Sequence, residues 1–195
     1  MGRKPVAKQK VLDAAREIVL QQGAGGLTFD SLAHTSGVTR GGITYHFATK
    51  ADLLRELIVE DLRHWQQIEQ DNRPTDLPDD VADLIAYLRM HTAQDAERQD
   101  FVAGMMSAVA HDRSVLEPAR EFHNARYADV QCTERTLHLQ LLRMAAFGIF
   151  WADFFDCPQL PDELRNALVE LLETKAMYWS QSPDDCDGVA KKDLS

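Results

Sequence analysis

Residues 28–50 read TFDSLAHTSGVTRGGITYHFATK, and this stretch decides the fold. Thr28 can cap a short helix, because its hydroxyl can accept a hydrogen bond from a backbone amide of the first turn. Gly37 follows that helix, and a glycine accepts the positive φ that a tight turn between two helices needs. Thr39 can then cap a second helix that runs to about Phe47. The pattern predicts two short helices joined by a tight turn, which is a helix-turn-helix.

The second of these helices is expected to turn Ile43 and Phe47 inward and to expose a polar face. Gly41 and Gly42 each cost about 1 kcal/mol in a helix relative to alanine. One explanation is a weak helix or a plain loop. The functional explanation is that missing side chains let the backbone approach a DNA groove closely. The exposed face comprises Thr39, Arg40, Gly41, Gly42, Thr44, Tyr45 and His46.

Lys50 stands at the predicted start of the next helix, after Thr49 as the cap and with Asp52 completing a partial capping box. The helix dipole disfavours a cation at this position, and a phosphate docked there would reverse the sign of the effect. Arg40 and Thr44 are the candidates for reading base edges. The exposed, hydrogen-bonding side chains of Tyr45 and His46 suit phosphate oxygens. The predicted DNA-contacting residues are Thr28, Thr39, Arg40, Gly41, Gly42, Thr44, Tyr45, His46 and Lys50.

Residues 8–54 resemble the DNA-binding domain of the TetR family of bacterial repressors. The resemblance rests on the apolar and glycine positions of the turn, on the tripeptide YHF at 45–47, and on Lys50 followed by two leucines at 53–54. The family commonly has a tyrosine where this chain has Thr44, so the phosphate contact is expected from the first two residues of YHF instead. The resemblance implies a homodimeric regulator, a ligand-released repressor of a palindromic or nearly palindromic operator.

The charge distribution supports a nucleic-acid partner for the N-terminal part alone. The chain of 195 residues carries a net charge of −10. Residues 1–50 contain seven Lys or Arg against three Asp or Glu, a net charge of +4, so the remainder carries −14. A basic head on an acidic body is what local phosphate binding requires. Alternatives are a helical small-molecule or partner-binding protein whose head is not a specific DNA reader, and an architectural or activating DNA-binding role without a ligand.

The sequence lacks the motifs that are typical of metalloproteins and of several enzyme classes. The three cysteines (Cys132, Cys157 and Cys186) are far apart and form no CxxC pair, which indicates a reducing cytosol and no zinc site. The seven histidines show no HExxH spacing, and there is no P-loop or GxSxG motif. We therefore expect no metal, no cofactor, no catalytic residues and no enzyme activity. Without a membrane-spanning apolar run or a signal segment, a cytoplasmic protein is expected.

Helical periodicity continues through the body, without a convincing strand pattern, so we predict an all-α fold. It would have an N-terminal three-helix helix-turn-helix domain at 1–50, a helical ligand-binding and dimerisation domain at 51–181, and a polar, disordered tail at 182–195. A basic, flexible arm is expected at 2–5 and a connection at 113–118. The predicted helices outside the helix-turn-helix are 6–22, 50–72, 79–93, 98–112, 119–130, 133–155 and 162–180.

The helices at 133–155 and 162–180 are apolar over a broad arc, which indicates a four-helix interface between two copies of the chain. The alternative is a buried helical pair in a monomer. The family resemblance further implies a pocket for a small-molecule effector among the middle helices. A packed core is the alternative for each of its large or adaptable candidates, which are Trp65, Tyr87, His91, Met105, Met106, Phe122, Phe147 and Trp151.

Overall fold

The computed structural model describes residues 3–128 and 130–179, and within these ranges it contains α-helices and short 3-10 turns but no strand. The all-α prediction is confirmed, with helix-turn-helix and body helices in the expected order. Along the described residues, the helices are α1 (Arg3–Gln22), α2 (Phe29–Ser36), α3 (Arg40–His46), α4 (Lys50–Asp71), α5 (Asp79–Thr92), α6 (Ala96–His111), α7 (Glu117–Ala125), α8 (Glu134–Phe155) and α9 (Asp162–Trp179).

Two segments differ from the prediction because proline is tolerated in the first turn of a helix, where its missing N–H has no intrahelical acceptor. The flexible arm predicted at 2–5 is wrong from Arg3 onward, since α1 already begins there and includes Pro5. The connection predicted at 113–118 is a 3-10 turn followed by the start of α7 at Glu117, with Pro118 as its next residue.

Smaller differences concern helix ends. Helix α7 stops at Ala125, five residues before the predicted end. Helix α6 begins at Ala96, because the Asp95 side chain accepts a hydrogen bond from the Arg98 amide and caps the helix there. The predicted tail at 182–195 and the last residue of the helix predicted at 162–180 lie outside the described residues.

One compact unit comprises the chain up to His64 together with Asp95–Ala125, so it joins the helix-turn-helix to α6 and α7. Its core is formed by apolar faces of α1 to α4 and α6. Helices α1 and α6 approach closely at Gly104, where an added Cβ would lie 2.5 Å from the Val19 carbonyl oxygen. Glycine is required at this crossing because any side chain would collide with backbone. The core residues include Val11, Ala15, Ile18, Leu32, Ile43, Phe47, Leu53, Leu57 and Phe101.

The second unit comprises Trp65–Gln94 and the described residues from Arg126 to Trp179. Helix α5 is apolar on more than one face and is therefore buried between α8 and α9. Arg165 of α9 is also buried, where it donates to both carboxylate oxygens of Asp153 and to the Thr92 carbonyl oxygen. The core of this unit includes Val81, Leu84, Ile85, Leu88, Leu142, Ala146, Ile149, Leu172 and Ala176.

Helix α4 is continuous from the first unit into the second. Its residues up to His64 belong to the first unit, and those from Trp65 belong to the second.

Across the part of the chain that the structure describes, no helix combines the length and the apolar character needed to cross a membrane.

Candidate nucleic-acid interface

The first helix of the helix-turn-helix is held by a reciprocal cap. The Thr28 hydroxyl accepts from the Ser31 amide at 3.0 Å, and the Ser31 hydroxyl accepts from the Thr28 amide at 2.9 Å. Gly37 ends the helix in the left-handed conformation (φ 67°, ψ 12°), and its N–H donates to the Ala33 carbonyl oxygen at 3.2 Å. A residue with a Cβ would be strained there, so the predicted capping and turn roles are confirmed.

Helix α3 is anchored on one side and exposed on the other. Its cap is Thr39, whose hydroxyl accepts from the Gly42 amide at 3.2 Å. Ile43 and Phe47 are buried, with 0% and 3% of their surfaces exposed. This anchoring leaves an outward face that includes Thr39, Arg40, Gly41, Thr44 and Tyr45, while Gly42 and His46 are half-buried.

The two predicted base-reading side chains already have hydrogen-bond partners within the protein. Arg40 Nη1 donates to Asp30 Oδ1 at 2.7 Å, and both side chains are largely exposed. An exposed ion pair contributes less than about 1 kcal/mol, so Arg40 can exchange Asp30 for a base or a phosphate at small cost. The Thr44 hydroxyl donates to the carbonyl oxygens of Arg40 and Gly41 at 3.1 and 3.2 Å. Thr44 therefore retains an acceptor lone pair and a methyl group for contact with DNA.

Lys50 is the exposed first residue of α4. The preceding cap is reciprocal: the Thr49 amide donates to Asp52 Oδ2 at 3.0 Å, and the Asp52 amide donates to the Thr49 hydroxyl at 3.1 Å. The predicted capping box is thereby confirmed. Lys50, Thr28 and Arg40 line a common cleft of about 230 Å³. The structure thus brings three of the predicted DNA-contacting residues together at the start of α3 and α4.

Tyr45 and His46 lie at the other end of α3. The Tyr45 side chain is 67% exposed, and its ring meets the His46 ring edge-on with 5.2 Å between centroids. An exposed phenol beside an imidazole places two hydrogen-bonding groups where α3 ends. Such groups suit phosphate oxygens.

Asp30 and Ser31 are the residues of this region whose roles the sequence analysis missed. Ser31 completes the cap of α2 in the position where the usual capping box has Glu or Gln, so the motif was incomplete in the sequence. Asp30 pairs with Arg40, ten residues away, and this pairing depends on how α2 and α3 cross. The sequence offered no signal for it beyond opposite charge.

The predicted effector-pocket residues divide between the two units. Met105, Met106 and Phe122 belong to the first unit, and the remaining five belong to the second. In the second unit Tyr87 stacks on His91, with 3.9 Å between ring centroids. The Phe147 ring lies 6.1 Å from His91 and 5.8 Å from Trp151. Trp65 packs against the core of the same unit.

The second unit also contains a cleft of about 460 Å³ that none of these eight residues lines. Most of its lining residues are polar or charged, and none of them is a tryptophan, a phenylalanine or a methionine. Gln140 and Arg143, three residues apart on the strongly apolar α8, are the signal that could have found it. The lining residues are Gln66, Glu69, Gln70, Arg73, Asp80, Asp83, Ala86, Arg126, Tyr127, Val130, Thr136, Leu139, Gln140 and Arg143.

A capped pair of short helices, with the second exposing a polar face and both packed against α1, defines a helix-turn-helix protein. Residues 11–57 match the family model of bacterial regulatory proteins of the tetR family. Residues 82–176 match the model of the tetracyclin repressor-like C-terminal domain. The chain belongs to the TetR family.

Curated relatives match mainly in the N-terminal region. The chain is 36% identical over 64 residues to the HTH-type transcriptional regulator SrpR of Pseudomonas putida, which covers 30% of each protein. It is 30% identical over 84 residues to the HTH-type transcriptional repressor AcnR of Corynebacterium diphtheriae, covering 43% of each. The chain thus matches less than half the length of these relatives.

Solved structures resemble the chain over nearly its whole length. A transcriptional regulator from Rhodococcus sp. Rha1 has a TM-score of 0.63 at 16% identity and covers 91% of this chain and 98% of that one. GusR of Salmonella enterica has a TM-score of 0.60 at 15% identity, with the same coverage of 91% and 98%. At this level of identity the similarity concerns the fold alone.

Proposed function

We propose that the protein is a sequence-specific transcriptional regulator, a repressor that binds a palindromic or nearly palindromic operator as a dimer and is released by a small-molecule effector. The observation that carries this proposal is the exposed polar face of α3 beside Lys50 at the start of α4. The relatives SrpR and AcnR, named as a transcriptional regulator and a transcriptional repressor, support it. The cytoplasm is the expected location of such a protein.

Each residue of the interface has a proposed role in DNA binding. Thr39, Tyr45, His46 and Lys50 hold α3 on the DNA by contacting phosphate oxygens, and Thr28 lies beside Lys50 in the same cleft. Arg40 and Thr44 contact base edges in the major groove. The glycines at 41 and 42 allow the backbone to come close. Because α3 is short, few side chains read sequence, and phosphate contacts supply most of the affinity.

Dimerisation is proposed through α8 and α9. Large apolar side chains recur on the outer side of α8 at intervals of four and three residues, at Leu137, Leu141 and Met144. On α9 they recur every seven residues, at Leu164, Leu171 and Tyr178. A stripe of this kind on two neighbouring helices suits an isologous four-helix interface, because each copy buries the apolar stripe of the other. The two-fold axis then requires half-sites in inverted orientation.

We assign DNA binding to the domain at residues 1–50, and effector binding and dimerisation to the domain at residues 51–181. Helix α4 is continuous from the first unit into the second, which supports its use as the connection. An effector releases DNA only if it binds the DNA-free conformation more tightly than the DNA-bound one. The ligand's differential affinity for the two states sets the extent of release.

The test is a titration of the purified protein against DNA from its own upstream intergenic region and against a shuffled duplex of the same length, at two salt concentrations. Salt-sensitive binding that prefers the natural duplex is the expected result. If both duplexes bind weakly and equally, selection of bound fragments from the whole genome follows. Failure to enrich any fragment there would overturn the proposal in favour of a helical binding protein whose head does not read DNA.

A further inference from the structure

We propose that the effector is a small organic carboxylate, held in the 460 Å³ cleft of the second unit by the guanidinium of Arg143. The cleft is lined by the C-terminal part of α4, by α5, by α8 and by the segment that follows α7. Its volume falls within the range of about 300–1,000 Å³ that is typical of small-molecule sites. The regulatory meaning of the site rests on the function proposed above, whereas carboxylate binding itself can be measured without DNA.

The carboxylates that line the cleft are each paired with an arginine. Glu69 accepts two hydrogen bonds from Arg126, at 2.9 and 2.6 Å. Asp83 accepts from Arg73 at 2.5 Å. Asp80 is paired with Arg135. The negative charges of the cleft are therefore already compensated by the protein.

Arg143 is the lining cation without such compensation. Among the described residues no carboxylate lies within 4.0 Å of its guanidinium, and its buried Nε makes no hydrogen bond. Arg143 is half-buried, so part of its charged group is removed from water without a carboxylate partner, and a bound anion relieves the cost of that burial. Arginine does not avoid this cost by losing its proton, because the guanidinium stays charged at any physiological pH.

The negative charge that acts on Arg143 comes from Glu69, which is already hydrogen-bonded to Arg126. Its guanidinium lies 5.2 Å from the centroid of the Tyr87 ring, and that of Arg126 lies 5.5 Å from the same centroid. Burial raises the pKa of Tyr87 to about 12, so the phenol stays neutral and offers only a ring face. Burial, followed by repulsion from Arg126, lowers the pKa of Arg143, in the direction expected for an uncompensated cation.

The rest of the cleft defines the remainder of the ligand. Among the described residues that line the cleft, a single uncompensated cation matches one negative charge, and the guanidinium fork fits a carboxylate through two parallel hydrogen bonds. A phosphate dianion would need a second cation, but Arg126 is committed to Glu69. The side-chain amide oxygen of Gln140, three residues before Arg143, is buried without a hydrogen bond. Ala86, Val130 and Leu139 provide apolar wall. We infer a carboxylate with an apolar body and a hydrogen-bonding group.

The test measures binding to the full-length protein without DNA. A library of small organic acids, containing aromatic, aliphatic and hydroxy-substituted carboxylates, is screened by thermal shift beside the matched neutral amides, and the best acid is titrated by calorimetry. We expect acids to stabilise the protein and their amides to do so much less. Arg143→Met should weaken binding of the best acid by roughly tenfold to hundredfold, as for loss of a charge-assisted hydrogen bond. Arg143→Lys should be intermediate, because charge remains while the fork is lost.

The control variant is Arg89→Met, which removes an arginine of the same unit that pairs with Glu173 and does not line the cleft. It should bind the acid as the wild type does. Without ligand, Arg143→Met should melt close to the wild type, since the substitution breaks no ion pair among the described residues and removes only the contact with the Tyr87 ring; a structural role would lower the melting temperature clearly. The proposal is overturned if no acid of the library binds, if amides bind as well as acids, or if Arg143→Met binds the acid unchanged.

DNA release separates this inference from the proposed function. Addition of the acid to the DNA complex should release wild-type protein but leave Arg143→Met bound. If the acid binds through Arg143 and no operator exists, the site stands and the regulatory function fails. If an operator is found and no acid binds, the regulator stands and the carboxylate site fails.

Discussion

Gly41 and Gly42 are neighbours in α3, yet the surrounding protein lacks room for a side chain only at Gly42. An added Cβ at Gly41 would meet nothing within 4 Å, whereas one at Gly42 would lie 2.9 Å from Val38 Cγ1 and 3.3 Å from the Thr39 hydroxyl oxygen. Packing within the chain therefore accounts for the glycine at 42 and leaves the one at 41 unexplained. The proposed close approach of DNA to the exposed side of α3 would explain the glycine at 41.

Gly41→Ala should stabilise the folded protein by about 0.5–1 kcal/mol, because alanine favours the helix and meets no neighbour. The same variant should bind operator DNA more weakly, since in the proposed complex the new methyl group would face the groove. Gly42→Ala is the control: it should lower the unfolding temperature through the contact with Val38. Thermal unfolding and DNA titration of both variants measure these effects. Unchanged DNA binding by Gly41→Ala would show that the α3 backbone does not approach the DNA closely.

Arg40→Ala should relax sequence preference, costing about 1–3 kcal/mol against the operator if Arg40 reads a guanine. Its matched control is Asp30→Ala, which removes the 2.7 Å ion pair but retains the arginine. That variant should bind DNA at least as tightly as the wild type, because Arg40 is freed and a negative charge near phosphate is lost. Binding constants are measured for operator and shuffled duplexes. Equal weakening on both duplexes by Arg40→Ala would make Arg40 a phosphate contact instead.

Lys50→Ala should weaken binding to operator and shuffled DNA by similar factors. A phosphate contact carries no sequence information, and its loss should reduce the slope of log K against log salt by about one. Salt titrations of both duplexes measure this. Arg89→Ala, which removes one positive charge outside the proposed interface, should leave the slope unchanged. A Lys50→Ala slope equal to that of the wild type would exclude the lysine from the phosphate contacts.

Leu141→Glu and Leu171→Glu should each convert the proposed dimer to a monomer. Both leucines are about half exposed in the single chain, and burying two symmetry-related carboxylates in a four-helix interface is strongly unfavourable. Sedimentation equilibrium measures the change. Met106→Glu, at an exposed apolar position on α6, is the control and should remain dimeric. A wild-type monomer, or dimers that persist in both leucine variants, would place the interface elsewhere or remove it.

Arg16→Ala should destabilise the first unit by up to about 3 kcal/mol, because it removes the arginine that is hydrogen-bonded to a buried carboxylate, on which Arg98 and His64 still act. Arg16 Nη1 donates to Asp61 Oδ1 at 2.9 Å, and Asp61 is 5% exposed. Asp61→Asn should cost less, since it removes the buried charge together with the pair. Urea denaturation of both variants measures the free energies of unfolding. A larger loss for Asp61→Asn than for Arg16→Ala would contradict this ranking.

The decrease in the free energy of unfolding caused by Arg16→Ala should also depend on pH. Burial raises the pKa of Asp61 above its ordinary value of 3.8, against the opposing effect of Arg16. For an acid whose pKa is higher in the folded state, stability is greatest at low pH and falls as pH rises through the folded pKa. Removing Arg16 raises that pKa further, so the loss should be full at neutral pH and smaller as the pH approaches 3.8. A loss independent of pH would mean that Asp61 is not the group responsible.

The sequence by itself determined the helix-turn-helix. The caps at Thr28, Thr39 and Thr49 and the left-handed turn at Gly37 act over three or four residues. Such interactions depend on backbone geometry within one turn, so residue identity and spacing suffice to predict them. The apolar repeats of the body likewise determined the all-α class, because helical periodicity is a local property.

Only the tertiary structure decided which charges are compensated. The pair of Arg126 with Glu69 joins residues 57 positions apart, and the pair of Arg40 with Asp30 depends on how two helices cross. The sequence contains many arginines and carboxylates and does not specify their partners. Arg143 differs from the other arginines around its cleft because no carboxylate of the described chain is brought beside it. Pairing of charges requires proximity in space, which folding alone provides.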